Sequence, residues 1–178
     1  KINLNMIEQI ESLSRIASDF SKFAKPLEQE LVQIDINEIL QHVIDLYSNE
    51  ELITLKNKIC SGPLWVLGAK DELQRVFINL IKNAIESIPK RRKGIIIVKS
   101  WHANYRANIE ISDNGEGIEE KNQASIFTPK FSTKSSGTGL GLAITKKVIE
   151  EHNGKISFTS TPKEGTTFYL SFDLFSGK

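Results

Sequence analysis

One cysteine, one methionine and three histidines among 178 residues leave little room for several chemistries. Cys60 has no partner for an internal disulfide and no companions for a thiolate metal cluster. It follows Ile59 in an apolar stretch and reads as buried packing. His42, His102 and His152 are scattered, without metal-ligand spacing. An excess of charge of one sign is also missing. The 23 basic and 22 acidic residues give a formal net charge of +1, which offers no broad field to nucleic acid or anionic lipid, so no nucleic-acid partner is expected. The one basic run, Lys90-Arg91-Arg92-Lys93, lies between a helix pattern and a strand pattern and reads as a solvated loop. No apolar run reaches the roughly 18 residues needed to span a bilayer, and no secretory leader is evident. The chain begins at Lys1 rather than Met, as a piece of a longer protein would. A reducing, cytoplasmic setting is the expectation, including the cytoplasmic part of a membrane-bound sensor.

What is present is a globular composition, 39% hydrophobic and 25% charged, with clear periodicity. Met6, Ile10, Leu13, Ala17, Phe20 and Ala24 recur at alternating steps of four and three, predicting a helix over about 3–25 with a coiled-coil or hairpin seam. The alternative is a helix lying on the globular domain. Pro26 ends the pattern. A second helix is expected from Asp35-Ile36-Asn37, with Asn37 as N-cap and Ile39, Leu40, Val43, Ile44 and Tyr47 on its apolar face. Ile53–Ile59 and Leu64–Leu67 read as short strands around the Ser61-Gly62-Pro63 turn. Asp71–Ile88 is a strongly amphipathic helix. Gly94–Trp101 and Tyr105–Asp113 predict a hairpin, 114–138 a loop-rich stretch, Gly141–Glu151 a helix ended by Asn153-Gly154, and Ile156–Thr161 with Thr166–Phe175 a closing hairpin. This order predicts an α+β fold with a mixed, largely antiparallel sheet covered by helices on one face.

Three features carry chemistry. Asp113 ends a strand and is followed by Asn114-Gly115-Glu116-Gly117-Ile118. Its carboxylate can accept a hydrogen bond from an exocyclic amine, and the glycines permit close backbone approach; an Asx turn at a strand end is the bland alternative. Asn79 and Asn83 stand at i and i+4, hence on one helical face. Carboxamide oxygens suit Mg²⁺, and Asn is a poor helix former, so two of them in mid-helix need a reason. Gly137-Thr138-Gly139-Leu140-Gly141 opens a helix, where free N–H groups and the dipole favour phosphate. It is neither a Walker A loop nor a dinucleotide fingerprint. Lys134, just upstream, reads equally as a phosphate contact or a solvated lysine.

With these elements in this order, the chain resembles the catalytic, ATP-binding domain of sensor histidine kinases, within the superfamily of heat-shock chaperone ATPases, type II topoisomerases and mismatch-repair ATPases. Asn79-Leu80-Ile81-Lys82-Asn83-Ala84 is similar to the family's N box and Asp113–Ile118 to its first glycine box. Ile126-Phe127-Thr128-Pro129-Lys130-Phe131-Ser132-Thr133-Lys134 is similar to the F box, Gly137–Leu142 to the second glycine box, and Gly165-Thr166-Thr167-Phe168 to the following Gly-Thr strand. The resemblance covers about 35–175, and the Ser132-Thr133-Lys134 wording is most like the nitrogen-regulation branch.

The resemblance implies the Bergerat fold, a two-layer α/β sandwich preceded by one long helix, with ATP and Mg²⁺ between the helices under a lid of residues 119–138. It implies that Asp113 holds the adenine amine with help from Thr166, alongside Gly115, Gly117 and Ile118. Asn83 would ligate Mg²⁺ and Asn79 would face the phosphates with Lys134. Gly137, Thr138, Gly139, Leu140 and Gly141 would offer the phosphates backbone amides. The superfamily's hydrolases place a Glu where Asn79 stands; a neutral amide cannot act as general base, which favours a kinase over an ATP hydrolase. Departures are Lys130 in place of an aromatic before Phe131, and Ala69 in place of an Asp. None of the three histidines lies in a phosphoacceptor box, a His followed by an acidic residue and then Arg/Asn-Pro, and His152 reads as structural.

Residues 1–26 are therefore expected to be the second helix of a dimerisation and phosphotransfer hairpin, and 27–178 the catalytic domain. The substrate histidine would lie on a helix missing here, so that this stretch binds ATP yet does not phosphorylate itself. A response-regulator receiver domain would take the phosphoryl group, and residues 3–25 offer a homodimer contact. The alternatives are an ATPase or anti-sigma serine kinase of the superfamily, or a non-catalytic nucleotide-binding or dimerisation module.

Overall fold

A computed structural model describes residues 30–129 and 139–176. The expected helix at 3–25 lies outside the described residues, as do Lys130, Lys134, Gly137 and Thr138. The elements are β1 (Val32–Asp35), α1 (Ile36–Leu46), β2 (Ile53–Lys58), β3 (Trp65–Gly68), α2 (Lys70–Ser87), β4 (Gly94–Ala103), β5 (Arg106–Asp113), α3 (Glu120–Gln123), α4 (Gly141–Glu151), β6 (Lys155–Thr161) and β7 (Gly165–Asp173).

Five strands form the main sheet in the order β2-β4-β5-β7-β6. Only β2 and β4 run parallel; the other neighbours are antiparallel. Alternation sets the two faces. Ile96, Val98, Ala107, Ile109, Ile111, Phe168, Leu170 and Phe172 are buried. Their neighbours along the strands are half-buried or exposed, as with the ion-paired Lys99 and Glu110, 2.6 Å apart. α2 is 18 residues long and buries Leu73, Val76, Phe77, Leu80, Ile81 and Ala84. This stripe joins one core with α1, α4 and the inner face of the sheet. The two-layer α+β architecture expected from the sequence is the one observed.

Three local features correct or extend the expectations. The N-cap of α1 is Asp35, not Asn37: its Oδ1 accepts the N–H groups of Asn37 and Leu64, both at 2.9 Å. Asn37 sits inside the first turn, buried, and its amide binds the 60–62 turn and Ser100 instead. A side chain that must satisfy three partners cannot also cap. Second, β2 and β3, which flank the Ser61-Gly62-Pro63 turn, take different partners. β2 joins β4, while β3 joins β1, a strand the sequence reading did not anticipate. Third, Cys60 is half-buried rather than sealed in the core, and its sulfur lies 3.5 Å from the Asn37 amide nitrogen.

His152 is structural, as expected. It is buried at the C-cap of α4. Its Nδ1–H donates to the Val148 carbonyl at 2.7 Å and its Nε2 accepts the Ala69 N–H at 2.9 Å. Both nitrogens are thus used by a neutral ring of one tautomer. Ala69 is the N-cap of α2 and has no capping side chain of its own, so His152 ties the end of α4 to the start of α2.

Candidate functional site

The last turn of α2, the end of β5 and the start of β7 meet at one carboxylate. Asp113 is the terminal residue of β5. Its Oδ1 accepts the Gly115 N–H at 2.7 Å, the Ser87 hydroxyl at 3.1 Å and the Thr166 N–H at 3.3 Å. Among the described residues nothing donates to Oδ2. Burial pushes the carboxyl above its ordinary value; the Gly115, Ser87 and Thr166 hydrogen bonds and the Arg92 guanidinium pull the other way. The contact with Gly115 is the Asx turn, so the bland reading of this motif is also true. It does not account for the donors arriving from α2 and β7.

Glycines are required here by contact. A Cβ on Gly115 would stand 1.9 Å from Ser87 Oγ and 2.7 Å from Asp113 Oδ1. Gly165 has φ +132, and a Cβ there would stand 2.0 Å from the Asp113 carbonyl oxygen. The loop is laced down on all sides. Asn114 Oδ1 accepts the Ile95 N–H at 2.8 Å, Glu116 N–H donates to Ser87 O at 2.9 Å, and Ile118 N–H donates to Ser160 Oγ at 2.8 Å. Ser160 also meets the Thr166 hydroxyl at 3.0 Å. Thr166 is buried; its N–H reaches Asp113, and through Ser160 its hydroxyl is linked to Ile118.

Asn79, Asn83 and Ser87 follow one another at intervals of four along α2, spanning about 12 Å at 1.5 Å per residue. Ser87 touches Asp113 at one end. At the other, Asn79 Nδ2 donates to the buried Thr145 hydroxyl at 2.9 Å, and a Cβ on Gly141 would stand 2.8 Å from Asn79 Oδ1. Gly141 is the first residue of α4, whose N-cap, Leu140, makes no side-chain capping bond. The first intrahelical bond is Ile144 N–H to Leu140 O at 2.8 Å, so the N–H groups before it lack helical acceptors. Half-buried Asn83 lies between the two ends. α2 thus spans from a half-buried carboxylate at one end to the dipole-positive end of a helix at the other.

The stretch that follows the glycine turn is anchored before it leaves the described residues. Gln123 Nε2 donates to Ile118 O at 3.0 Å and Ser160 O at 3.2 Å. Phe127 packs edge-on against Phe158 and Phe168, with centroids 5.9 and 6.5 Å apart, and Lys146 Nζ lies 5.7 Å from its ring centre.

Two contributors escaped the sequence reading. Ser87 carried no motif, although its spacing from Asn79 and Asn83 marks it in retrospect. Arg92 belongs to the run expected to be solvated, but its guanidinium binds the carbonyl oxygens of Asn114 and Gly115; only Lys90, Arg91 and Lys93 of that run are exposed.

The five-stranded, mostly antiparallel sheet and the helices packed on it form a Bergerat fold. A family profile described as "Histidine kinase-, DNA gyrase B-, and HSP90-like ATPase" matches residues 68–176, and the chain belongs to that family. The sensor histidine kinase ZraS of Klebsiella oxytoca is 32% identical over 176 residues, 96% of this chain and 38% of that protein. The chain therefore spans little more than a third of this relative's length. Among solved structures, the catalytic domain of histidine kinase ThkA superposes with a TM-score of 0.73 at 29% identity, over 82% of this chain and 99% of that one. The ThkA kinase solved in complex with the response regulator protein TrrA gives a TM-score of 0.78 at 25% identity, over 98% and 51% of the respective chains.

Proposed function

We propose that this chain is the ATP-binding catalytic part of a two-component sensor histidine kinase, of the nitrogen-regulation-like branch by its Ser132-Thr133-Lys134 wording, acting in the cytoplasm. Family membership supports the nucleotide. The observation that carries the reading is the α2 edge, which links an acceptor suited to adenine at Ser87 and Asp113 to an N–H-rich helix end at Asn79 and Gly141.

In this reading the exocyclic amine of adenine donates to Asp113 Oδ2, while Oδ1 stays filled by Ser87, Gly115 and Thr166. Gly117 and Ile118 wall the base, and the backbone around Gly137, Thr138, Gly139, Leu140 and Gly141 receives the phosphates, with Asn79 and Lys134 beside them. Asn83 would hold Mg²⁺ through its amide oxygen, a ligand type that suits this hard cation. When bound, the ion neutralises charge on the phosphates. The fit rests on close packing of backbone: Cβ atoms at Gly115 and Gly141 would enter the space beside Asp113 and Asn79. The lid that the resemblance implies would begin at residue 119, where the described stretch is held by Gln123 and Phe127.

Catalysis is positioning and charge stabilisation. Asn79 donates its amide proton to Thr145 and has no basic group with which to activate water. In this reading the γ-phosphoryl passes to a histidine on a separate helix and ADP leaves. None of His42, His102 and His152 is followed by an acidic residue and Arg/Asn-Pro, and His152 is locked in the fold. Residues 1–26 would belong to the phosphotransfer hairpin, with 27–178 as the catalytic domain. A response-regulator receiver then takes the phosphoryl group; the solved complex of the ThkA kinase with TrrA supports that partner class.

The test is transfer in trans. The chain, radiolabelled ATP and Mg²⁺ should label a separately supplied phosphoacceptor hairpin with acid-labile, alkali-stable phosphate, and the chain itself should stay unlabelled. Steady phosphate release without a hairpin would instead favour an ATPase.

A further inference from the structure

The Lys90–Lys93 segment is short and basic, yet one of its side chains is turned to the base loop. The Arg92 N–H donates to Pro89 O at 2.9 Å, closing a turn that brings the side chain to residues 113–116. Nη2 donates to the carbonyl oxygens of Asn114 and Gly115, the second at 2.8 Å.

The Asn114–Gly115 peptide is trans, so its C=O and N–H point in opposite directions. Arg92 holds the oxygen, and the N–H donates to Asp113 Oδ1 at 2.7 Å. A cation and an anion thus grip the two ends of one peptide unit, and each hydrogen bond polarises the other. Gly115 makes such a grip necessary. Without a side chain it rotates easily, and a flip of this peptide would turn a carbonyl oxygen toward the carboxylate. Arg92 Nε is buried and finds no acceptor among the described residues. An unpaired buried donor is unfavourable, so stability alone does not account for the residue.

We infer that Arg92 is a positioning and specificity-determining residue of the base site: by clamping the Asn114–Gly115 peptide it keeps Asp113 Oδ1 filled and leaves Oδ2 as the acceptor for an adenine amine. This rests on the nucleotide reading given above. It adds that selectivity for the amine depends on a side chain that does not touch the base.

The experiment titrates wild type, Arg92→Met and Arg92→Lys with the Mg²⁺ complexes of ATP and of inosine triphosphate, which carries an oxygen where ATP carries the amine. Thermal melting without nucleotide is recorded for each. Arg92→Met should lose roughly ten- to a hundredfold in ATP affinity while inosine triphosphate changes far less, so the selectivity ratio collapses. Arg92→Lys, a point charge without the planar fork, should lie between. Equal weakening of both nucleotides, or unchanged ATP affinity, overturns the assignment. If Arg92→Met does not fold, Arg92→Lys decides, and a wild-type ratio there overturns it. Failure of wild type to bind ATP would instead sink the underlying nucleotide reading.

Discussion

The hydroxyl of Ser87 lies 3.1 Å from Asp113 Oδ1 and 2.8 Å from the carbonyl oxygen of Ala84. It has one proton and so serves one of these acceptors at a time. Donating to Asp113, it supports the ionised carboxylate; donating to Ala84, it turns a lone pair toward a negative oxygen. Ser87→Ala removes one of three donors from Oδ1. Affinity for ATP should fall by roughly three- to tenfold with little change in melting temperature, as read by calorimetric titration and thermal melting.

Asp113 itself should work against stability. Its folded carboxyl titrates above the ordinary value of 3.8 because burial penalises the charge. The folded state therefore holds this proton more tightly than the unfolded state. Stability falls as pH rises from the ordinary carboxylate range through the folded pKa, above which the full penalty is present. Asp113→Asn keeps an oxygen for the Gly115, Ser87 and Thr166 donors and removes the charge. Its melting temperature at pH 7 should equal or exceed that of wild type, and this advantage should vanish in acid.

Asn83 is half-buried and lies between the two ends of the site. Asn83→Ala should leave the fold intact and abolish the dependence of ATP affinity on Mg²⁺. Titrations with Mg²⁺ and with a chelator should then give the same dissociation constant, whereas wild type should distinguish them.

Acid should loosen the joint between α2 and α4. Burial holds the His152 imidazole below its ordinary value of 6.5, against the raising effects of the Val148 carbonyl, Glu72 and Glu151. Below about that pH the unfolded chain binds a proton that the folded ring resists, so stability declines as pH falls. Protonation would also break the bond from Ala69 N–H, since Nε2 could no longer accept. Wild type should melt earlier at pH 5.5 than at pH 7.5, and His152→Gln should show a shallower slope.

What could be read in the chain follows from the range over which each residue acts. The glycine boxes were legible because their constraint is local and only glycine meets it: at Gly115 a side chain would collide with Asp113, two residues back. The long stripe of α2 was legible for the same reason. β1 was not, because four residues with a single buried Ile34 carry too little alternation, and the strand exists by pairing with Trp65–Gly68. β2 and β3 are close in sequence, yet their partners, β4 and β1, are distant from them along the chain. Ser87 and Arg92 act on residues 26 and 22 positions away, a distance no local pattern spans.

The central claim, that Asp113 reads the amine of an adenine nucleotide, is tested most directly by calorimetric titration of Mg²⁺–ATP analogue into wild type and Asp113→Asn. Asparagine would offer a second donor where the amine already brings one. The account predicts saturable heat for wild type and affinity weakened by about a hundredfold or more for a folded Asp113→Asn. Equal binding by both proteins, or no binding by folded wild type, would contradict it.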